Sequence, residues 1–154
     1  MNLSKSFTLQ ELTKSQSAIR QGLDNTPGAD AIANLKTLAV NVLQPLRDYY
    51  ARPVIITSGY RSPEVNELIG GSRTSDHCEG RAADVEIPGI ANADIANWIN
   101  QNLKFTQLIL EFYTPGIPDS GWVHVSYDPS RLKNQVLTAY KQAGRTVYAP
   151  GIVA

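Results

Sequence analysis

Histidine is scarce in this chain: His77 and His124 are the only two in 154 residues. Cysteine is scarcer still. With Cys78 alone, no intramolecular disulfide can form, so the fold does not rest on an oxidising compartment. Neither sign of charge is in excess, because fourteen Lys and Arg balance fourteen Asp and Glu. That balance leaves no global field to draw in nucleic acid or an anionic membrane, and no basic patch interleaved with aromatics is present. Long apolar runs are missing too. No window approaches the ~20 residues of a membrane span, and Met1-Asn2-Leu3-Ser4-Lys5-Ser6 lacks the apolar core of a signal peptide. The chain is therefore expected to be made in the cytoplasm without membrane insertion. No repeat, low-complexity tract or linker divides it. Its 154 residues suit a single domain, 1–154, that buries roughly two-thirds of the surface its unfolded chain exposes. A monomer is expected.

Local signals punctuate the chain. Thr8-Leu9-Gln10-Glu11 has the form of a capping box and predicts a short helix, which Asn25-Thr26-Pro27-Gly28 then breaks. Ile32, Leu35, Leu38, Ala39, Val42, Leu43 and Leu46 recur at helical spacing and predict the main core helix. Pro45 falls inside that stripe and predicts a kink or an early end near Asn41 to Gln44. Val54 to Thr57 reads as a strand, Pro63 to Leu68 as a helical turn, and Gly70 to Ser75 as a loop. A helix is expected from Asn92 or Ala93 with Ile95, Trp98 and Ile99 inward. Strands follow over Phe105 to Phe112 and Trp122 to Tyr127. Ser130 is expected to cap a last helix carrying Leu132, Val136, Leu137 and Tyr140. Strands separated by loops more often than by crossover helices favour an α+β domain, with a small, mostly antiparallel sheet flanked by helices on one side.

The few histidines sit in suggestive places. Two imidazoles and a carboxylate form the usual ligand set of a catalytic zinc, which takes three protein ligands and leaves one position open. Asp84 lies seven residues after His77. On an extended segment Ala82, Asp84 and Glu86 share one face and Ala83, Val85 and Ile87 the other, while Trp122, His124 and Ser126 share a face further on. If those strands pair, Asp84 and His124 meet and His77 arrives from the preceding loop. Cys78 beside His77 reads as a nucleophile, a fourth ligand, or a small side chain on a tight loop. Glu86 reads as a partner that orients a histidine or as a solvated strand-end carboxylate.

Ser75-Asp76-His77-Cys78-Glu79-Gly80-Arg81-Ala82-Ala83-Asp84, followed by Trp122-Val123-His124, fits the pattern S-x-H-x-x-G-x-A-x-D…W-x-H. Thr57-Ser58-Gly59-Tyr60-Arg61-Ser62 adds a second match upstream. Over about Phe7 to Tyr127 the chain resembles the zinc D-alanyl-D-alanine carboxypeptidase and L-alanyl-D-glutamate endopeptidase family, which cuts the peptide stems of bacterial cell wall and includes many phage proteins. The resemblance implies an α+β hedgehog-like zinc fold, one Zn2+ per chain held by His77, Asp84 and His124, and peptidoglycan stem peptides as partner. It also implies delivery or release to the wall, and a role for Arg61 in holding substrate carboxylate or carbonyl groups, a task suited to a planar guanidinium fork. Ser75 and Trp122 are further candidates on the substrate side, and Tyr60 for a pocket wall. Family members commonly place an acid or histidine two or three positions before the last ligand as the general base. Here Gly121 and Trp122 stand there. Glu111, an acid ending an apolar strand, is the candidate base; Asp119, in the turn Pro118-Asp119-Ser120-Gly121, is the alternative. An L-alanyl-D-glutamate endopeptidase of endolysin type is favoured over a D-alanyl-D-alanine carboxypeptidase, and the rival outside enzymes is a catalytically silent zinc-containing wall-binding domain.

Overall fold

The computed structural model describes all 154 residues. The capping box opens helix α1 (Leu9–Thr13): Thr8 Oγ1 accepts from Glu11 N–H at 3.3 Å, and Glu11 Oε1 accepts from Thr8 N–H at 2.8 Å. Helix α2 (Gln16–Gln21) follows and ends at Gly22 in the left-handed conformation. The main core helix runs as α3 (Ala29–Leu38), a π turn (Ala39–Leu43) and α4 (Gln44–Tyr50). Pro45 neither ends nor breaks it. A proline ring meets the carbonyl four residues back and offers no N–H; the π turn, in which Gln44 N–H reaches Ala39 O, widens the helix just ahead of the ring. Leu35, Leu38, Val42, Leu43 and Leu46 are all fully buried, each contributing roughly 1.5–3 kcal/mol.

Six strands form one sheet in the order β1-β2-β4-β3-β5-β6: β1 (Ile55–Ser58), β2 (Ala82–Glu86), β3 (Gln107–Glu111), β4 (Trp122–Ser126), β5 (Gln135–Gln142) and β6 (Arg145–Pro150). Every pairing is antiparallel except β3 with β5. Helix α5 (Pro63–Leu68) links β1 to the loop before β2, and α6 (Asn92–Asn102) lies between β2 and β3. A core of 23 buried residues joins Leu35 to Leu46 and Ile95 and Ile99 to Ala83, Val85, Leu108, Leu110, Val123 and Val125. These strand residues all belong to one face, so the helices cover that face and the opposite face is left to Asp84, Ile109, Glu111, Trp122 and His124. Trp98 is half-buried, packed against this core and stacked on the Tyr49 ring at 4.7 Å. No helix is long and apolar enough to cross a membrane.

The expected last helix is a β-hairpin. Ser130 caps nothing; its N–H and Oγ both donate to Asp128 Oδ1, at 3.0 and 2.8 Å. Ala143 and Gly144, with φ of 53° and 77°, make the tight turn between β5 and β6, both central residues in the positive-φ conformation that a two-residue hairpin requires. Leu132, Val136, Leu137 and Tyr140 happen to fall at helical spacing. The free edge of β3 decides the matter, because pairing Gln107–Glu111 with Gln135–Ala139 satisfies a row of backbone groups that a helix would leave open.

Candidate metal centre

Three separate pieces of chain deliver the ligand side chains to one point. Asp84 on β2 stands directly opposite His124 on β4, so their side chains leave the sheet on the same face as close neighbours. His77 comes from a 3-10 turn (Asp76–Glu79) that precedes β2. Ser75 caps that turn, its Oγ accepting from His77 N–H at 3.2 Å. Gly80 ends it in the left-handed conformation, φ 73°, where a Cβ would lie 2.5 Å from Ala31 O. The rings of His77 and His124 tilt together with centroids 5.1 Å apart. His77, Asp84 and His124 present one nitrogen or oxygen each, all within 4.8 Å of one another.

The tautomer of His77 follows from its surroundings. Its Nδ1 lies 2.8 Å from Gly59 O, which can only accept, so Nδ1 carries the proton and Nε2 presents a lone pair. Burial pushes the His77 pKa below its ordinary value, ahead of the opposing pull of Asp84, so the ring stays neutral. Its Nε2 nevertheless points at Asp84 Oδ1, 3.4 Å away. In a neutral ring a lone pair faces a carboxylate oxygen there, an arrangement that a cation held between the two would favour, and a metal ion can take that place. His124 Nδ1 meets the same Oδ1 at 3.0 Å. Burial alone would raise Asp84, but the hydrogen bond from His124 leads the opposing effects and holds it well below the usual carboxylate range. At His124 burial is likewise outweighed, by Asp84 first and then Glu111, so its pKa is raised. The donor set of two imidazoles and one ionised carboxylate is that of a catalytic zinc site.

The Thr57–Ser62 segment builds the wall behind the ligands. Gly59 is the residue that composition alone passes over: a Cβ there would overlap Leu12 O, and its carbonyl is the group that orients His77. Its signal was its place inside the Thr57–Ser62 motif. Tyr60 is 7% exposed and belongs to the hydrophobic core. Arg61 pairs with neither Glu64 nor Glu67. Its Nε is buried without a hydrogen-bond partner, and burial lowers its pKa against the pull of Asp84, Cys78 and Glu111. A buried unpaired guanidinium donor demands an explanation.

Glu111 and Asp119 part company. Glu111 lies opposite Trp122 across β3 and β4 and accepts from Trp122 Nε1 at 2.6 Å. Burial raises its pKa, with His124 opposing. Asp119 is exposed and lines a surface cavity with Glu86, Pro88 and Asn92. Glu86 makes no hydrogen bond to His77 or His124, whose only side-chain partners are Gly59 O and Asp84. Cys78 lies outside the ligand cluster, and burial pushes its thiol up, away from nucleophilic character.

A family model described as Peptidase M15 matches residues 5–126. The chain belongs to the peptidase M15 family. No curated protein matches it. The M15 match spans all three candidate ligand residues, Arg61 and Glu111, and ends with the last residue of β4, before the β5–β6 hairpin. M15 peptidases are zinc enzymes, and the His77–Asp84–His124 cluster is a site where this chain could hold that ion.

Proposed function

We propose that the chain is a zinc metallopeptidase that hydrolyses amide bonds in the peptide stems of peptidoglycan, acting as an endopeptidase between L-alanine and D-glutamate. The observation that carries the reading is the His77–Asp84–His124 cluster on the sheet face left free by the core, with Glu111 on that same face two residues along β3 from the partner of His124. Zinc, when bound by these three residues, supplies a Lewis acid with an open coordination position. Glu111 takes a proton from the attacking water at its carboxylate and returns it to the leaving amine nitrogen. Trp122 Nε1–H holds that carboxylate in place. Arg61 donates to a carbonyl or carboxylate of the bound peptide through its guanidinium fork. Ser75 shapes the loop that carries His77, and Trp122 stands beside Glu111 where substrate enters.

The endopeptidase reading draws support from the resemblance to wall-cutting phage peptidases and from the ligand face, which continues past Glu111 onto β5 and β6. Incubation of the zinc-loaded protein with purified peptidoglycan, followed by mass analysis of the fragments, tests it. New amino termini on D-glutamate are expected. Free D-alanine as the sole product would make the chain a carboxypeptidase, and no product with zinc bound would make it a silent zinc domain.

A further inference from the structure

The β5–β6 hairpin lies beyond the family match, yet it is built onto the site. Ala139 of β5 stands opposite Glu111, and Tyr148 of β6 stands opposite Ala139. Register partners share a face of the sheet. Trp122, Glu111, Ala139 and Tyr148 therefore form one row across β4, β3, β5 and β6, on the face of Asp84 and His124. Lys141, two positions beyond Ala139, shares that face and is exposed. Tyr148 is 54% exposed.

Phe112 joins this row from a strained backbone. Its φ is 55°, a conformation that bulky side chains avoid. Strand alternation would turn the residue after Glu111 toward the core. Instead its ring lies 5.4 Å from that of Trp122, and Lys141 Nζ stands 5.5 Å over its centre. The positive φ thus turns an aromatic ring toward Trp122, with the Lys141 cation over it. From strand spacing and rise, Lys141 lies about 8 Å from Glu111 along the backbone plane, the span of about two residues of extended peptide.

We propose that Phe112, Lys141 and Tyr148 form a substrate-positioning wall, in which the Lys141 ammonium pairs with a free carboxylate of the wall peptide within about two residues of the scissile amide. This rests on the peptidase reading and adds to it. Charge complementarity selects the occupant: stem peptides carry carboxylates, and Lys141 has only a neutral hydrogen-bond partner, Thr146 Oγ1 at 3.0 Å, which a carboxylate displaces. Continuity with the site selects the place, since the row begins at Glu111 itself. The two rings flank the intervening peptide backbone.

Steady-state kinetics on stem peptides with a free carboxylate on D-glutamate, and on their amidated counterparts, test the wall. Lys141→Gln should raise KM for the free acid by about five- to tenfold while kcat stays within about twofold, the pattern of lost ground-state binding. It should leave the amidated peptide unaffected, and Lys141→Arg should restore the acid. Tyr148→Ala should raise KM for both peptides. An active wild type with KM unchanged in Lys141→Gln overturns the wall and leaves the peptidase reading standing. No turnover of either peptide by the zinc-loaded wild type overturns the peptidase reading, and the wall falls with it.

Discussion

Glu111 carries the heaviest chemical load assigned to any single residue outside the ligand set. Burial raises its proton affinity, against the pull of His124, and the 2.6 Å hydrogen bond from Trp122 acts in the opposite sense to burial. That balance suits a carboxylate meant to accept a proton at neutral pH. Glu111→Gln keeps shape and hydrogen bonding but cannot take the proton, so zinc content should hold while kcat falls by about two to four decades. Asp119→Asn, at the exposed turn, should change kcat by less than about twofold; the opposite outcome would exchange their roles. Trp122→Phe removes a donor that favours the ionised form. The Glu111 pKa should then rise, and because only the ionised carboxylate accepts a proton, the acid limb of kcat/KM should move to higher pH. A limb that stays put or moves lower would separate Glu111 from the rate.

The connection between β3 and β4 bears on where the proposed base sits. Gly121 has φ 63°, and a Cβ on it would overlap the carbonyl oxygen of Glu111 and crowd Phe112. Of the two positions at which family members commonly carry an acid, the one at Gly121 is thus closed to a side chain here and the other holds Trp122, whereas Glu111 offers a carboxylate from the neighbouring strand, opposite Trp122. Asn92 Nδ2, at the start of α6, ties the same loop down by donating to Ser120 O at 2.9 Å and Gly121 O at 3.3 Å. Gly121→Ala should lower unfolding stability by about 2–4 kcal/mol, combining backbone strain with overlap. Gly116→Ala is the control. It too has a positive φ, 89°, but nothing lies within 4 Å of its Cβ, so only the conformational cost of about 1 kcal/mol should appear. Equal denaturant midpoints for the two variants would remove the steric argument.

Across the whole molecule, the candidate metal site exists only in the folded chain, because a loop, β2 and β4 each contribute one of its three side chains. Zinc that binds this arrangement and not the unfolded chain must stabilise the fold, by about 2.7 kcal/mol at a hundredfold excess over Kd. For a domain of this size that corresponds to about 5–10 °C in Tm. Scanning calorimetry with zinc and with chelator should show the shift in the wild type, and His77→Ala and His124→Ala should lose most of it along with their bound metal. A full shift in either variant would take that histidine out of the ligand set.

What the sequence determined by itself was whatever depends on neighbours a few residues apart. The capping box at Thr8, the alternation that puts Asp84 and His124 on one face of their strands, and the apolar stripe from Leu35 to Leu46 are all set by backbone periods of two and 3.6 residues. The spacing of His77, Asp84 and His124 was legible for the same reason, once strands were assumed to pair. Tertiary structure decided the rest. Whether Val136 to Tyr140 coils or extends depends on the unpaired edge of β3, some thirty residues away in the chain. Pro45 is absorbed by a π turn held in a packed core. That Glu111 and not Asp119 meets Trp122 depends on the β3–β4 register, and the buried, unpartnered Nε of Arg61 is visible only when every neighbour is in place. Strand register and burial are long-range quantities, fixed by which distant segments exclude water together, and no local window of sequence contains them.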